Sequence, residues 1–306
     1  MKTPHLVQYQ GSKRNIAKDI IKYIPNNTQR IIEPFAGTCA ISILCSQEGK
    51  SNSFWLNDIN KPLIDLMQKC VEHPEDLYEK YKMIWNRQFE ADTNNVDYFY
   101  LIRDSFNAGN HSPEMMLFLL ARVVKGSVRY NDNGQMNQSC DKRRNGTKPD
   151  LVRKNAYGIS ELLKNKSTFS SLDYKEVLKM AVPGDLVYMD PPYQGTSKKD
   201  FTRDNRYYQG VDYDEFVCEL DKLNKRGIDY IVSYDGMTGE RKIGNDLPDY
   251  LKLSHLYINA GSSAQSTLNG KKEITYESLY LSKNITLQDN YEQITIDFYE
   301  DKAVAL

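Results

Sequence analysis

An α/β domain on a mainly parallel sheet, interrupted by a mostly helical insertion, is the fold that the 306-residue sequence predicts. Three observations predict it. The first 70 or so residues alternate short apolar runs with helical periodicity, the pattern of a parallel sheet with helices on its faces. From about 74 to 165 that alternation is replaced by successive helical patterns, and it resumes near 168. Two late apolar runs then flank a Gly/Ser/Asn-rich loop at 260–271, which reads as an antiparallel hairpin closing the sheet.

Each element has a local reason. Residues 13–24 read as a short amphipathic helix with Ile16, Ile20, Ile21 and Ile24 on its apolar side. Arg30-Ile31-Ile32-Glu33 is a strand that runs into the turn Pro34-Phe35-Ala36-Gly37-Thr38 and a helix over 40–44. Phe54-Trp55-Leu56 is a second strand, ended by Asn57-Asp58, and a helix follows from about Lys61. In the insertion, 74–88, 95–107 and 113–125 carry helical patterns, and another helix begins near Leu151. The polar stretch from Lys125 to Lys154 contains Asn131-Asp132-Asn133-Gly134, a hairpin-turn signal. Thr168-Phe169-Ser170 and 185–189 are strands, Asp212 caps a helix running to about Lys225, and 228–232 is a further strand. The closing hairpin is expected at 251–258 and 275–282. The predicted division is 1–72 plus 166–284 for the main domain and 73–165 for the insertion, with a weakly patterned tail, 285–306, that receives no role.

Composition narrows the class. The formal net charge is −1, so any preference for nucleic acid must come from local charge distribution. The five cysteines are odd in number and none forms a C-x-x-C pair. That disfavours a disulfide framework and a zinc site and suggests a reducing compartment. The sequence has no apolar leader and no run of about 18 apolar residues, so a cytoplasmic protein without a membrane span is expected.

Four segments carry chemistry. Asp190-Pro191-Pro192-Tyr193 follows the apolar run Leu186-Val187-Tyr188-Met189. Two prolines fix φ and remove two backbone donors, so a carboxylate, a carbonyl and a ring are left at the usual ligand edge of an α/β sheet. That set can hold a planar amino-bearing base; the plain alternative is a Pro-rich turn with Asp as a turn residue. Gly37, at a strand-to-helix turn, allows either a close ligand approach or simply a tight bend. Asp58, ending the next strand, suits ribose hydroxyls or else a helix cap before Asn60. Tyr9-Gln10-Gly11-Ser12-Lys13 could bind a carboxylate or begin a capped helix; its spacing is not that of a Walker A loop, which disfavours a nucleoside triphosphatase.

The last segment is the basic one. From Arg122 to Lys154, nine Lys/Arg face three Asp, a local excess of six positive charges on a nearly neutral chain. Amides and Tyr130 sit among them. Lys and Arg neutralise phosphates, and Asn, Gln and Arg read base edges; a solvated loop is the alternative.

The order Y-x-G-S-K, P-F-x-G, N-D, a basic insert and D-P-P-Y resembles DNA adenine-N6 methyltransferases of the Dam type (D12 class, alpha group) from about Val7 to Asn284. The resemblance implies a Rossmann-like, S-adenosylmethionine-dependent methyltransferase sheet with a C-terminal antiparallel hairpin and an inserted, mainly helical DNA-recognition domain. It implies catalysis by Asp190, Pro191, Pro192 and Tyr193, with no metal. It implies that Tyr9, Gly11, Lys13, Phe35, Gly37, Asp58, Asp173 and Asp190 bind the cofactor, with Lys13 near its carboxylate and Asp173-Tyr174 beside its adenine. Lys125, Arg129, Tyr130, Asn131, Asn137, Arg143 and Arg144 would meet double-stranded DNA, Arg129-Tyr130-Asn131 belonging to an inserting hairpin. Ser233-Tyr234-Asp235-Gly236 would shape the pocket. Two departures stand out: Cys39 replaces the second glycine of P-F-x-G-x-G, and Ile274 to Asn284 lacks the arginine-and-leucine ending of close Dam relatives, so the family's GATC target is not carried over.

The implied reaction flips adenine from the duplex, stacks it on Tyr193, and offers its N6 hydrogens to Asp190 and the Pro191 carbonyl. A cytosine-N4 enzyme, usually with serine in place of Asp190, and an inactive DNA-binding regulator of the same fold are the rivals. Family analogy adds a monomer beside a restriction endonuclease that shares the target site.

Overall fold

The computed structural model describes residues 2–26, 28–90, 92–126, 128–131, 133–193, 210–239, 241–262 and 273–285. The tail from 286 and most of the 260–271 loop lie outside them. Five strands run parallel: β1 (Arg30–Glu33), β2 (Phe54–Asn57), β3 (Ser167–Ser170), β4 (Asp185–Met189) and β5 (Asp229–Thr238). β6 (Arg241–Ile243), β7 (Ser254–Ser262) and β8 (Ile274–Leu281) are antiparallel additions. The order is β3-β2-β1-β4-β5-β8-β7, with β6 on β5. The chain steps outward from β1 to β3, then returns to the other side of β1. The crevice between the carboxyl ends of β1 and β4 is therefore the switch point at which such sheets bind ligands.

Burial on both faces explains the short apolar strands. Ile31, Leu186, Tyr188 and Ile231 belong to one apolar cluster; Ile32, Val187, Met189 and Val232 belong to the other. The first lies under α2 (Ala40–Gln47) and α3 (Lys61–Glu72); the second lies under α8 (Tyr174–Met180) and α9 (Tyr213–Arg226). The Rossmann-like layering and the closing hairpin are as expected. β5 runs six residues past its expected end, through a bulge between Ser233 and Gly236.

The amino-terminal helix differs from expectation. It breaks into a 3-10 turn Lys13–Asn15, α1 (Ala17–Ile20) and a 3-10 turn Ile21–Tyr23. Ile16 leaves helical geometry at φ −111°, ψ 1°, and Pro25 forces Ile24 to extended ψ. All four isoleucines are buried, so packing rather than a continuous hydrogen-bond ladder fixes this segment.

Between α3 and β3 the chain forms α4 (Pro74–Arg87), α5 (Asn95–Asn107), α6 (Pro113–Arg122) and α7 (Pro149–Leu163). Asn94 and Ser112 cap α5 and α6 through their side chains. α6 ends three residues early because Val123 turns extended and bridges Cys140. α7 is tied to α2 and α3: Ser46 Oγ donates to Leu162 O at 2.5 Å, and Ser160 Oγ to Val71 O at 2.6 Å. One apolar cluster runs from Ile31 through Leu66 to Phe118 and Ile159.

Candidate active site

A cavity of about 260 Å³ opens at the switch point. Its walls come from the segment before α1, the β1–α2 turn, the end of β2, the start of α8, the end of β4, and β8.

β1 ends in Glu33, which is buried and accepts the Ser42 N–H of the first turn of α2 at 2.9 Å. Burial lifts its carboxyl to about 7, against the Ser42 hydrogen bonds and with help from the Asp190 and Asp58 charges. The turn needs two left-handed residues, Gly37 at φ +51° and Cys39 at φ +57°. That geometry is why glycine suits both positions of the motif; Cys39 adopts it at a cost of about 1–2 kcal/mol.

Asp58 faces this turn. Its Oδ2 accepts the Gly37 N–H at 2.8 Å and its Oδ1 the Asn60 N–H at 2.9 Å. Asp58 organises the entry to α3, and it lines the cavity with acceptor capacity left on each oxygen. Burial raises it to about 6, opposed by the two N–H groups. Asp173 lines the cavity too, but its Oδ1 caps α8 by accepting the Lys175 N–H at 2.9 Å. The Tyr174 ring lies 5.2 Å from that of Phe35. Tyr9 and Gly11 line the cavity as well, and beside them Thr38 Oγ1 donates to Ser12 Oγ at 3.3 Å.

β4 delivers Asp190. Lys13 Nζ sits 3.0 Å from Asp190 Oδ1 and 3.1 Å from Glu277 Oε2, and donates to Tyr193 Oη at 2.6 Å. The Tyr193 hydroxyl in turn donates to Glu277 Oε2 at 3.1 Å. Lys13 lines the cavity, and its ammonium, on a side chain only 7% exposed, is the counter-charge of Asp190. Burial would lower the Lys13 pKa, but the carboxylates of Asp190 and Glu277 outweigh it and raise it. Burial lifts Asp190 to about 6, with Lys13 pulling down and Glu277 pushing up. Glu277 escaped the sequence reading. A usable signal was present: it continues the alternate positions of Leu281 and Leu279 with a charge.

The basic segment divides in two. Tyr130 bridges Met136, and the Asn131 N–H bonds to Gln135 O at 2.9 Å, so the predicted hairpin forms. Arg129, Asn137, Arg143 and Arg144 are exposed, with Arg144 Nε 3.5 Å from Asp141 Oδ2. Tyr130 is 4% exposed and its hydroxyl accepts from Asn60 Nδ2 at 2.8 Å. It joins the hairpin to the entry of α3. Asn131 Oδ1 is engaged inside the turn by the Asn133 and Gln135 N–H groups. Arg122 is also buried, donating to the carbonyls of Arg144 and Asn95, so it does not belong to the surface charge. The Lys125 side chain and Asp132 lie outside the described residues. Tyr234 belongs to the cluster on the second face, 6.4 Å edge-on to Tyr193.

The chain is similar in sequence to known proteins. The retron Ec67 DNA adenine methylase of Escherichia coli is 28% identical over 280 residues, covering 88% of this chain and 88% of the relative. The type II methyltransferase M1.LlaDCHI of Lactococcus lactis subsp. cremoris is 28% identical over 278 residues, covering 86% and 91%. The type II methyltransferase M.MjaIII of Methanocaldococcus jannaschii is 26% identical over 249 residues, covering 76% and 84%. A family model described as D12 class N6 adenine-specific DNA methyltransferase matches residues 9–264, from the wall formed by Tyr9 past the Asp190 turn. The chain therefore belongs to the D12 class of N6 adenine-specific DNA methyltransferases.

Proposed function

We propose that this protein methylates N6 of a flipped-out adenine within a short sequence of double-stranded DNA, using S-adenosyl-L-methionine. The observation that carries this reading is the meeting of Asp190-Pro191-Pro192-Tyr193 with the Gly37 turn and Asp58 around one cavity at the switch point.

The cavity suits the donor. Gly37, at φ +51°, lines the cavity, where a Cβ would stand 3.8 Å from the Tyr9 ring. Asp58 offers carboxylate lone pairs to a ribose diol, and Phe35 and Tyr174 offer apolar ring surface to an adenine. When bound, the donor supplies an electrophilic methyl group on a sulfonium. The chain's own residues do the rest. Tyr193 gives the extruded base a ring to stack on. Asp190, with Oδ1 held by Lys13, accepts an N6 hydrogen through Oδ2, and the Pro191 carbonyl accepts the other. That pull keeps the nitrogen lone pair available for attack instead of delocalised into the ring.

Removing Asp58 tests the cofactor half. Asp58→Ala is expected to raise the dissociation constant for S-adenosylmethionine by about 10- to 100-fold, the equivalent of hydrogen bonds to a charged group. Isothermal titration reads this directly, and unchanged affinity would remove Asp58 from cofactor binding. Arg129 and Asn137 are proposed base readers, and Arg143 and Arg144 phosphate contacts. The names of two type II relatives support a role beside a restriction endonuclease.

The activity itself is tested by incubating the protein with unmethylated genomic DNA and S-adenosylmethionine, followed by sequencing that detects modified bases. N6-methyladenine in one short motif establishes the reaction and the target together. Methylated cytosine would overturn the base assignment. No modified base, under conditions where the protein binds both ligands, would point to an inactive DNA-binding protein.

A further inference from the structure

Glu277 is the site's unassigned charge. β8 runs antiparallel to β5, so its first half reaches the rim where β4 delivers Asp190. Leu279 and Leu281 are buried in the same apolar cluster as Tyr188. Glu277 is the next position along that row, opposite Gly236. The strands approach closely there: a Cβ on Gly236 would lie 2.1 Å from Tyr276 O. The side chain is thus carried on a backbone with little room to shift, and it is only 20% exposed.

One oxygen, Oε2, faces two donors, Lys13 Nζ and the Tyr193 hydroxyl, both at 3.1 Å. Among the described residues, the groups that face Asp190 are Lys13 from the amino-terminal segment, Glu277 from β8, Glu33 from β1, and Tyr188 and Tyr193 from its own strand and turn. Among these Lys13 is the single cation, shared by two carboxylates. A second partly buried acid beside the first is not a stabilising choice, since desolvation opposes it; a leucine continuing the row would serve packing better. The charge therefore calls for a role in the chemistry.

We propose that Glu277 is a positioning residue for methyl transfer: it anchors the Tyr193 hydroxyl, and it draws part of the Lys13 ammonium away from Asp190 so that Asp190 remains a strong acceptor for the target amine. This rests on the reading that Asp190 takes that amine. A carboxylate that owned Lys13 outright would be a poorer acceptor, and an unanchored Tyr193 ring would hold the base less firmly.

Glu277→Gln keeps an amide oxygen for the two donors and removes the charge; Glu277→Ala removes both. Each is measured by kcat and KM against pH, by affinity for S-adenosylmethionine and by thermal melting. In wild type, kcat/KM should fall as pH drops below about 6, where Asp190 protonates. In Glu277→Gln that acid limb moves to lower pH, because a negative neighbour that raised the Asp190 pKa is gone, and kcat drops about 10-fold with KM little changed. Glu277→Ala loses about 100-fold in kcat, with cofactor affinity retained. An unmoved acid limb with unchanged kcat, or activity lost only in step with the folded fraction, overturns the proposal. If Asp190→Asn is itself active, the reading beneath it fails instead; if that variant is dead and Glu277→Gln behaves as wild type, the role of Glu277 alone fails.

Discussion

Asp190→Asn should lower kcat by about a thousandfold while leaving S-adenosylmethionine affinity within about threefold of wild type. The substitution is nearly isosteric, so the β4 turn and its contacts persist. Its chemistry is inverted. An amide has one acceptor oxygen where the carboxylate has two, and its NH2 group would face donors on either side: the Lys13 ammonium, 3.0 Å away in wild type, and the N6 amine of the target base. A lost charge-assisted bond together with a donor set against a donor amounts to about 4 kcal/mol in the transition state. Single-turnover kinetics separate this from slow release. Turnover near wild type would sink the assignment of Asp190 as the amine acceptor.

Some of this site could be read from the sequence, and physics explains which part. β1, β2 and β4 are short apolar runs closed by Glu33-Pro34, Asn57-Asp58 and Asp190-Pro191, because strands buried on both faces need no polar alternation and their ends turn at the ligand rim. The acids and glycine of those turns were legible because the motifs are local. The second half of β5 was not. Asp235-Gly236 has the composition of a turn, yet it sits within a bulge whose pairing with β8 is decided by a strand 40 residues downstream. Glu277 was missed for the same reason: its partner Lys13 lies at the opposite end of the chain.

The basic segment shows how far burial departs from residue type. Tyr130 and Arg122 are residue types that suit DNA, and their neighbours in sequence are charged and polar. Both are buried, Tyr130 against Asn60 and Arg122 beneath the carbonyls of the polar loop. A side chain's residue type states what it can bind; only the packing states which way it faces. Arg129 and Asn137 are exposed on a hairpin that Tyr130 fastens to the entry of α3.

Lys13→Met should produce the largest loss of stability in the site and move the acid limb opposite to Glu277→Gln. Methionine keeps most of the stem's volume and removes the charge. Asp190 and Glu277 then remain partly buried with no cation between them, and breaking such an arrangement costs about 3–5 kcal/mol. The pH dependence has a definite sign. Without Lys13 the folded-state pKa of Asp190 rises further above its unfolded value, so protonation favours the folded state. The destabilisation is therefore smallest in acid, where the carboxyls protonate, and reaches its full size as pH rises through the raised folded-state value. Urea melts at pH 5 and pH 8 should differ accordingly, with the gap to wild type larger at pH 8. The acid limb of kcat/KM should move to higher pH. A variant as stable as wild type at both pH values, with its acid limb in place and only its S-adenosylmethionine affinity reduced, would return Lys13 to the cofactor's carboxylate and leave Asp190 without the counter-charge assigned to it.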